Sequence, residues 1–175
     1  MHPEMTGRTE WVDVVDDYDR VVDTVTRAQV RAGNLHNRAV SIAVIGSDGR
    51  LLVHRRSITK DVWPGMWDIA AGGVVAAGET YEAAARRELV EELGITTSQW
   101  EHLGEGRFTD DSVSLIGHGF LVVHDGPFTF TDGEIAEVRW VGREELAALL
   151  ASESFVPDNV ALLLPLLLTD CTQFR

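Results

Sequence analysis

The sequence predicts an α/β fold in which helices pack on a mixed β-sheet. The order of elements is the main observation: several extended segments come first, then one long helix, more extended segments and finally two helices. This order differs from a regular strand–helix repeat, which would predict a parallel sheet. The size agrees, because 175 residues with 45% hydrophobic side chains fit one domain with a sizeable core. We therefore expect a single domain over residues 1–175.

The extended segments are rich in β-branched and apolar residues and are bounded by turn residues. They cover residues 10–15, 20–25, 39–45, 50–54, 68–75, 100–108, 114–124 and 138–141. The first pair predicts an N-terminal hairpin over about residues 10–27, and the second pair predicts a hairpin that turns at Gly49. Asp132-Gly133 is a further turn signal, and the pattern of residues 27–35 is ambiguous.

Three helices are predicted. Residues 80–93 are rich in Ala, Glu, Leu and Arg, with Thr80 as the N-cap and Gly94 as the C-terminal stop. Residues 143–151 and 158–168 close the chain, and Pro165 predicts an end or a kink in the last helix.

Charge and cysteine content exclude several classes of protein. A formal net charge of -13 disfavours binding to nucleic acid or to an anionic membrane. The single cysteine, Cys171, excludes an internal disulfide and a cysteine zinc site, as expected in the cytosol. The N-terminus lacks an apolar signal core, and the apolar stretch 160–168 is too short to cross a bilayer. We therefore expect a cytoplasmic protein that binds a small molecule.

Three carboxylates share one face of the helix predicted at residues 80–93. Glu88, Glu91 and Glu92 stand at i, i+3 and i+4, where like charges repel unless a cation joins them. Mg²⁺ prefers such oxygen ligands, whereas a solvated acidic face is the alternative. Ala84 and Ala85 lie on the same face one turn earlier, where their small side chains would leave room beside the carboxylates. Another face carries Leu89, Val90 and Leu93, which are expected to pack on the sheet.

Residues 73–95, GVVAAGETYEAAARRELVEELGI, resemble the Nudix box G-x5-E-x7-R-E-U-x-E-E-x-G-U, in which U is a bulky aliphatic residue. Every fixed position is filled, by Gly73, Glu79, Arg87, Glu88, Leu89, Glu91, Glu92, Gly94 and Ile95. The resemblance implies an α/β/α sandwich with a mixed sheet. It also implies hydrolysis of a nucleoside diphosphate linked to another group, or of a related diphosphate.

The resemblance also implies roles for individual residues. Glu88, Glu91 and Glu92, with the carbonyl of Gly72, would bind Mg²⁺, with Mn²⁺ as the alternative metal. Arg87 and Glu79 would form an orienting pair. One glutamate that the metal does not fully engage would accept a proton from water. The candidates are Glu91, Glu92 and Glu134, the last of which is equally compatible with a surface turn.

Residues 54–73, HRRSITKDVWPGMWDIAAGG, resemble the subgroup related to isopentenyl diphosphate isomerase. By that resemblance Arg56 and Lys60 would hold the diphosphate. Trp63 would line a pocket, whereas Trp67 is expected to be a packing residue. The isomerases carry a catalytic cysteine at the position of Gly72 and a histidine at that of Val74, so hydrolysis is favoured here.

The alternatives are a non-catalytic nucleotide or sugar diphosphate-binding module and, third, an isomerase. A homodimer could form through the N-terminal hairpin or the apolar C-terminal helix. Trp11, Trp100 and Trp140 are expected to pack in the core or at its edges.

Overall fold

The computed structural model describes residues 9–130 and 133–175. The strands are β1 (Trp11–Val15), β2 (Val21–Thr26), β3 (Asn37–Ile45), β4 (Leu51–Arg56), β5 (Trp67–Asp68), β6 (Ala71–Val74), β7 (Trp100–Thr109), β8 (Ser114–Val123) and β9 (Ile135–Val141). The helices are α1 (Arg27–Gly33), α2 (Tyr81–Leu93), α3 (Arg143–Ser152) and α4 (Pro157–Thr169). Asp132 of the predicted Asp132-Gly133 turn lies outside the described residues.

The sheet is mixed, as predicted, and β3 lies at its centre. β3 runs parallel to β8 and antiparallel to β1, β4 and β6. β2 extends the sheet beyond β1, and β7 extends it beyond β8. β5 and β9 both pair with β4. The two hairpins that the sequence predicts, β1–β2 and β3–β4, are both part of this sheet.

Helices cover both faces of the sheet. Ala43 and Ile45 of β3 pack in one buried cluster with residues of α3 and α4. Ile42 and Val44 pack in a second cluster with residues of α2. Because successive strand residues point to opposite faces, this alternation places α2 on one side and α3 and α4 on the other. The expected α/β/α sandwich is confirmed.

Two segments were predicted ambiguously or incorrectly, and each difference from the structure has a local cause. Residues 27–35 contain the short helix α1, which begins with a capping box between Thr26 and Gln29. Residues 68–75 contain parts of two short strands instead of one, because β5 pairs with β4 whereas β6 pairs with β3. Ile69 and Ala70, which connect the two strands, are buried in the core. The break brings Gly72 and Gly73 of β6 against β3.

Helix α2 begins and ends where the sequence predicts. The Thr80 hydroxyl accepts a hydrogen bond from the backbone N–H of Ala83 at 3.1 Å, which caps the first turn. Gly94 ends the helix with φ of +66°, a left-handed conformation that favours glycine. The helix therefore presents its residues 81–93 in the predicted register.

Two expectations about the faces of α2 are wrong. Val90 is 47% exposed instead of packed on the sheet. Ala84 and Ala85 are fully buried, so they leave no open room beside the carboxylates. Their small side chains pack in the same cluster as Val40 and Val75, and this lets the helix lie close to the sheet.

Helix α4 does not end at Pro165, so that part of the prediction is wrong. It continues to Thr169, and Leu163 and Leu167 on either side of the proline are buried against the sheet. Packing on both sides of Pro165 offsets the loss of one backbone donor. Among the helices formed by the described residues, none is both long and apolar enough to cross a bilayer.

Candidate active site

A cleft of about 650 Å³ opens beside α2, and we call it the carboxylate cleft. Parts of β1, α1, β6, α2 and the loops at residues 60 and 134 contribute to its wall. Seven of the predicted site residues line it: Lys60, Gly72, Arg87, Glu88, Glu91, Glu92 and Glu134. Segments that are far apart in the sequence therefore meet here.

The three glutamates of α2 have different surroundings. Glu88 and Glu92 are 8% and 4% exposed, whereas Glu91 is open to solvent. Burial, followed by the charge of Glu88, raises the pKa of Glu92 to about 8. Burial also raises the pKa of Glu88 above its usual value, although Arg87 opposes this effect. Two charged carboxylates at this depth therefore require cations close by.

Arg87 and Glu79 make the contact that the sequence predicts. The guanidinium donates from Nη2 to Glu79 Oε2 at 2.9 Å and from Nε to Oε1 at 3.1 Å. It also donates to the carbonyl of Val74 at 3.1 Å, while Glu79 accepts from the backbone N–H of Ala76 at 3.0 Å. Although burial raises the pKa of Glu79, these hydrogen bonds from Arg87 and Ala76 hold it below its usual value. The pair ties the loop before α2 to the helix.

The carboxylates of α2 are bound by groups of the chain itself. Arg87 Nη1 donates to Glu88 Oε1 at 2.5 Å and to Glu91 Oε2 at 3.2 Å. Glu92 Oε2 accepts from the backbone N–H of Gly72 at 3.1 Å. Within residues 9–130 and 133–175, no three acidic, histidine or cysteine side chains already converge on one point. A cation in the cleft would therefore compete with Arg87 for these oxygens.

Gly73 allows the backbone of β6 to lie directly against a carboxylate. A β-carbon at this position would stand 2.5 Å from Glu88 Oε1, much closer than real β-carbons approach other atoms. Any larger residue would displace the Glu88 side chain. The close contact with Glu88 therefore explains why a glycine stands at this position of the sequence motif.

Lys60 and Glu134 meet inside the carboxylate cleft. Lys60 Nζ forms an ion pair with the Glu134 carboxylate and lies 3.9 Å from Glu92 Oε1. The lysine side chain is only 12% exposed, so its charge is directed into the site. The loop that carries Glu134 thus reaches the glutamates of α2.

Arg56 and Trp63 line a separate space of about 80 Å³, which we call the small pocket. Arg56 Nη2 donates to the carbonyl of Val62 at 2.9 Å, and Nη1 lies 3.9 Å from Asp68 Oδ2. Trp63 has φ of +47°, a strained conformation for a residue with a side chain. Lys60 lines both spaces, so it connects Arg56 with the carboxylate cleft. Trp67 is 2% exposed and is a core residue, as expected.

Arg27 and Trp11 are among the residues of the cleft wall that were not identified from the sequence. Arg27 lines the carboxylate cleft and pairs with Glu10 at 3.1 Å. Trp11 lines it too and is 51% exposed, whereas packing in the core or at its edge was expected. By contrast, Trp100 stacks on Phe120 at a centroid distance of 5.1 Å, as a packing residue would. Neither Arg27 nor Trp11 belongs to a local motif, so only the folded chain reveals their position.

Comparisons with known proteins give the family. The family model described as "NUDIX domain" matches residues 35–161. The chain is 40% identical over 160 residues to the uncharacterized Nudix hydrolase YfcD of Escherichia coli K12, covering 91% of this chain and 88% of that protein. It is 40% identical over 152 residues to the uncharacterized Nudix hydrolase PA4841 of Pseudomonas aeruginosa, covering 86% of this chain and 89% of that protein.

A solved structure shows the same fold. The crystal structure of DR0079 from Deinococcus radiodurans matches with a TM-score of 0.72 and 30% identity, covering 83% of this chain and 92% of that one. The fold, the filled motif and the sequence relatives agree with one another. The chain therefore belongs to the Nudix family of hydrolases.

Proposed function

We propose that this protein hydrolyses a diphosphate linkage in a small molecule and depends on a divalent metal ion. One observation carries the proposal: Glu88, Glu91 and Glu92 share a cleft with the backbone of Gly72 and the buried cation of Lys60. This arrangement combines oxygen ligands for a metal with a positive group for phosphate. The linkage joins a nucleoside diphosphate to another group or belongs to a related organic diphosphate.

The donor set of the cleft fits Mg²⁺, with Mn²⁺ as the alternative. Carboxylate and carbonyl oxygens are the ligands that such hard cations prefer. Glu88, Glu91 and Glu92 would hold the ion, together with the carbonyl of Gly72. The burial of Glu92, which disfavours its charged form, would be compensated by a bound cation. When bound, the ion would polarise phosphoryl oxygens and make water more acidic.

The other residues of the site bind and orient. Arg87 and Glu79 hold the loop before α2 against the helix and so fix the carboxylates. Lys60 and Arg56 bind the phosphoryl oxygens, which need local cations in a chain of net charge -13. Trp63 lines the space beside them.

In the proposed reaction, water attacks one phosphorus atom and forms a new P–O bond. The bond from this phosphorus to the bridging oxygen breaks, and the leaving phosphate keeps the electron pair. A carboxylate takes the proton of the water. Glu91, Glu92 and Glu134 are the candidates, because all three line the carboxylate cleft.

The resemblance to isopentenyl diphosphate isomerases extends, in this proposal, to the phosphate grip of Arg56 and Lys60 only. Gly72 and Val74 lack the thiol and the imidazole that the isomerase chemistry needs. We also propose that the chain acts as one unit over its 175 residues, and that any homodimer forms through the β1–β2 hairpin or α4.

A panel of nucleotide, sugar and short-chain organic diphosphates tests the function. The purified protein is assayed with Mg²⁺, with Mn²⁺ and with a chelator, and released phosphate and nucleotide are measured. We expect turnover of a subset of the panel with metal and none with chelator. Tight metal-dependent binding without any product would contradict hydrolysis and favour a binding module. Conversion of isopentenyl diphosphate to its isomer would favour an isomerase.

A further inference from the structure

The small pocket adjoins the carboxylate cleft. Arg27, Lys60, Gly72 and Gly73 line both spaces, so they meet at the side of the cleft that carries the phosphate-binding lysine. A molecule whose diphosphate lies near Lys60 would therefore have its remaining group close to the small pocket. The polar atoms of the small pocket therefore indicate the chemical class of this remaining group.

Two side chains present acceptor oxygens to the small pocket. Asn37 is 2% exposed, and its Nδ2 donates to the carbonyl of Arg38 at 3.1 Å. Its Oδ1 has no hydrogen-bond partner among the described residues. The Asp158 carboxylate accepts from the backbone N–H of Asn159 at 2.9 Å, and no side chain in the described ranges bonds to it.

The neighbouring polar groups are already paired. Asn159 Nδ2 donates to Asp68 Oδ1 at 2.7 Å, and Ser41 donates to the Asn159 carboxamide oxygen. Asp68 also accepts from the backbone N–H of Ala70 at 3.2 Å. These contacts fix the wall of the pocket and leave Asn37 and Asp158 as its available acceptors. Burial raises the pKa of Asp158 to about 6, as expected for a carboxylate with little solvation.

The small pocket accepts only a compact group. Its volume of about 80 Å³ is roughly half of the ~150 Å³ of a cavity that holds one benzene molecule. Val62, Val113 and Leu115 form apolar parts of the wall. Four cations also line it, and each is already paired: Arg27 with Glu10, Arg31 with Asp61, Arg56 with the Val62 carbonyl and Lys60 with Glu134. A group of about three or four non-hydrogen atoms with one donor would fit this space.

We propose that the small pocket binds a hydroxyl or amino group on a short chain attached to the substrate's diphosphate, with Asp158 and Asn37 as the acceptors. The proposal rests on the proposed function of the carboxylate cleft and adds a substrate class. It favours short hydroxyalkyl or aminoalkyl groups over apolar ones. A purely apolar group would offer no donor to Asn37 Oδ1 or to the second carboxylate oxygen of Asp158.

Binding of three matched probes tests the proposal: 2-hydroxyethyl, 2-aminoethyl and ethyl diphosphate. Dissociation constants are measured by calorimetry with Mg²⁺ on the wild-type protein, with the bridging oxygen of each probe replaced by a methylene group so that no turnover occurs. We expect at least one donor-bearing probe to bind about tenfold or more tightly than ethyl diphosphate, because buried polar sites strongly reject analogues that lack the matching group. The two donor probes distinguish a hydroxyl from an amine.

Substitution at Asp158 assigns the preference to the small pocket. Asp158→Ala should abolish the preference while the affinity for ethyl diphosphate changes less than about threefold. Asp170→Ala, at the exposed C-terminal end of the same helix, should retain it. If Asp158→Ala does not fold, Asp158→Asn replaces it. This variant removes the charge and should lower a preference for the amine about tenfold.

Three results would overturn the proposal. These are equal affinity for the three probes, no binding of any probe, or a preference that survives in Asp158→Ala, or, for the amine, in Asp158→Asn. Failure of the proposed function is separate, because it would appear as absence of turnover in the wild-type protein while the binding preference is still measured.

Discussion

Glu88, Glu91 and Glu92 share one face of α2, but only Glu91 is exposed. The i, i+3, i+4 spacing predicts the shared face and nothing about depth. Depth depends on β6 and on the loop that carries Lys60, which cover Glu88 and Glu92 but leave Glu91 open. The shared position of these three glutamates could therefore be predicted from the sequence, whereas their electrostatic surroundings could not.

Arg87 makes more contacts than the orienting pair with Glu79 requires. It contacts Glu79 through two nitrogens and also reaches Val74, Glu88 and Glu91. Arg87→Lys keeps the charge and loses the two-pronged geometry, so the loop before α2 would be held less firmly. We expect turnover to fall about tenfold or more, and the free energy of unfolding to fall by about 1–3 kcal/mol. Steady-state kinetics and urea unfolding measure the two effects.

Arg86→Lys is the matched control for that prediction. Arg86 is the preceding residue on the same helix, and it pairs with Glu82 at an exposed position. The control should leave turnover unchanged, because exposed i,i+4 pairs contribute little. If the variants at positions 86 and 87 behave alike, the orienting role of Arg87 is wrong.

Arg27 and Trp11 show where residue-level prediction from sequence stops. Both line the carboxylate cleft, and both come from the N-terminal part of the chain, far from the motif at residues 73–95. Neither has a spacing or a neighbour that indicates a site. They reach the cleft because β1 pairs with β3 and because Val30 of α1 packs against Val12.

Among the elements, α2 was the most predictable and α1 the least. Long stretches of helix-forming residues with a cap at each end define α2, and the structure has both caps. A helix of 7 residues, such as α1, is too short to show a clear period. The capping box of Thr26 and Gln29 was the available local signal for its start.

The proline inside α4 allows a prediction about the stability of a single element. Pro165 removes one backbone donor in the middle of the helix, yet Leu163 and Leu167 hold both halves on the sheet. Pro165→Ala restores the donor and removes the steric conflict. We expect the free energy of unfolding to rise by about 1–3 kcal/mol, as seen by a higher midpoint in urea.

Pro157→Ala is the control, because Pro157 stands in the first turn of α4, where proline is favourable. This variant should leave stability unchanged or slightly reduced. An unchanged or lower midpoint for Pro165→Ala would show that the proline is not a source of strain in α4.

At the scale of the whole molecule, three cations line the carboxylate cleft of an acidic chain and face its five carboxylates. The chain carries a net charge of -13, yet Lys60, Arg27 and Arg87 all line this cleft. The order of elements predicted a mixed sheet with helices packed on it, and the resemblance to the Nudix box implied helices on both faces. It did not predict how β1, α1 and the loop at Glu134 would close around α2, because those contacts connect segments that are distant in the sequence.

Metal-dependent turnover of wild type against Glu92→Gln tests the central claim most directly. The substrate is the best one in the diphosphate panel, and Glu82→Gln, exposed on the same helix, is the control. We predict turnover of wild type and Glu82→Gln with Mg²⁺ and none with chelator, and at least about a hundredfold loss in Glu92→Gln with its fold intact by circular dichroism. Wild-type turnover in Glu92→Gln, or equal rates with and without metal, would contradict a metal-dependent hydrolase built on the carboxylates of α2.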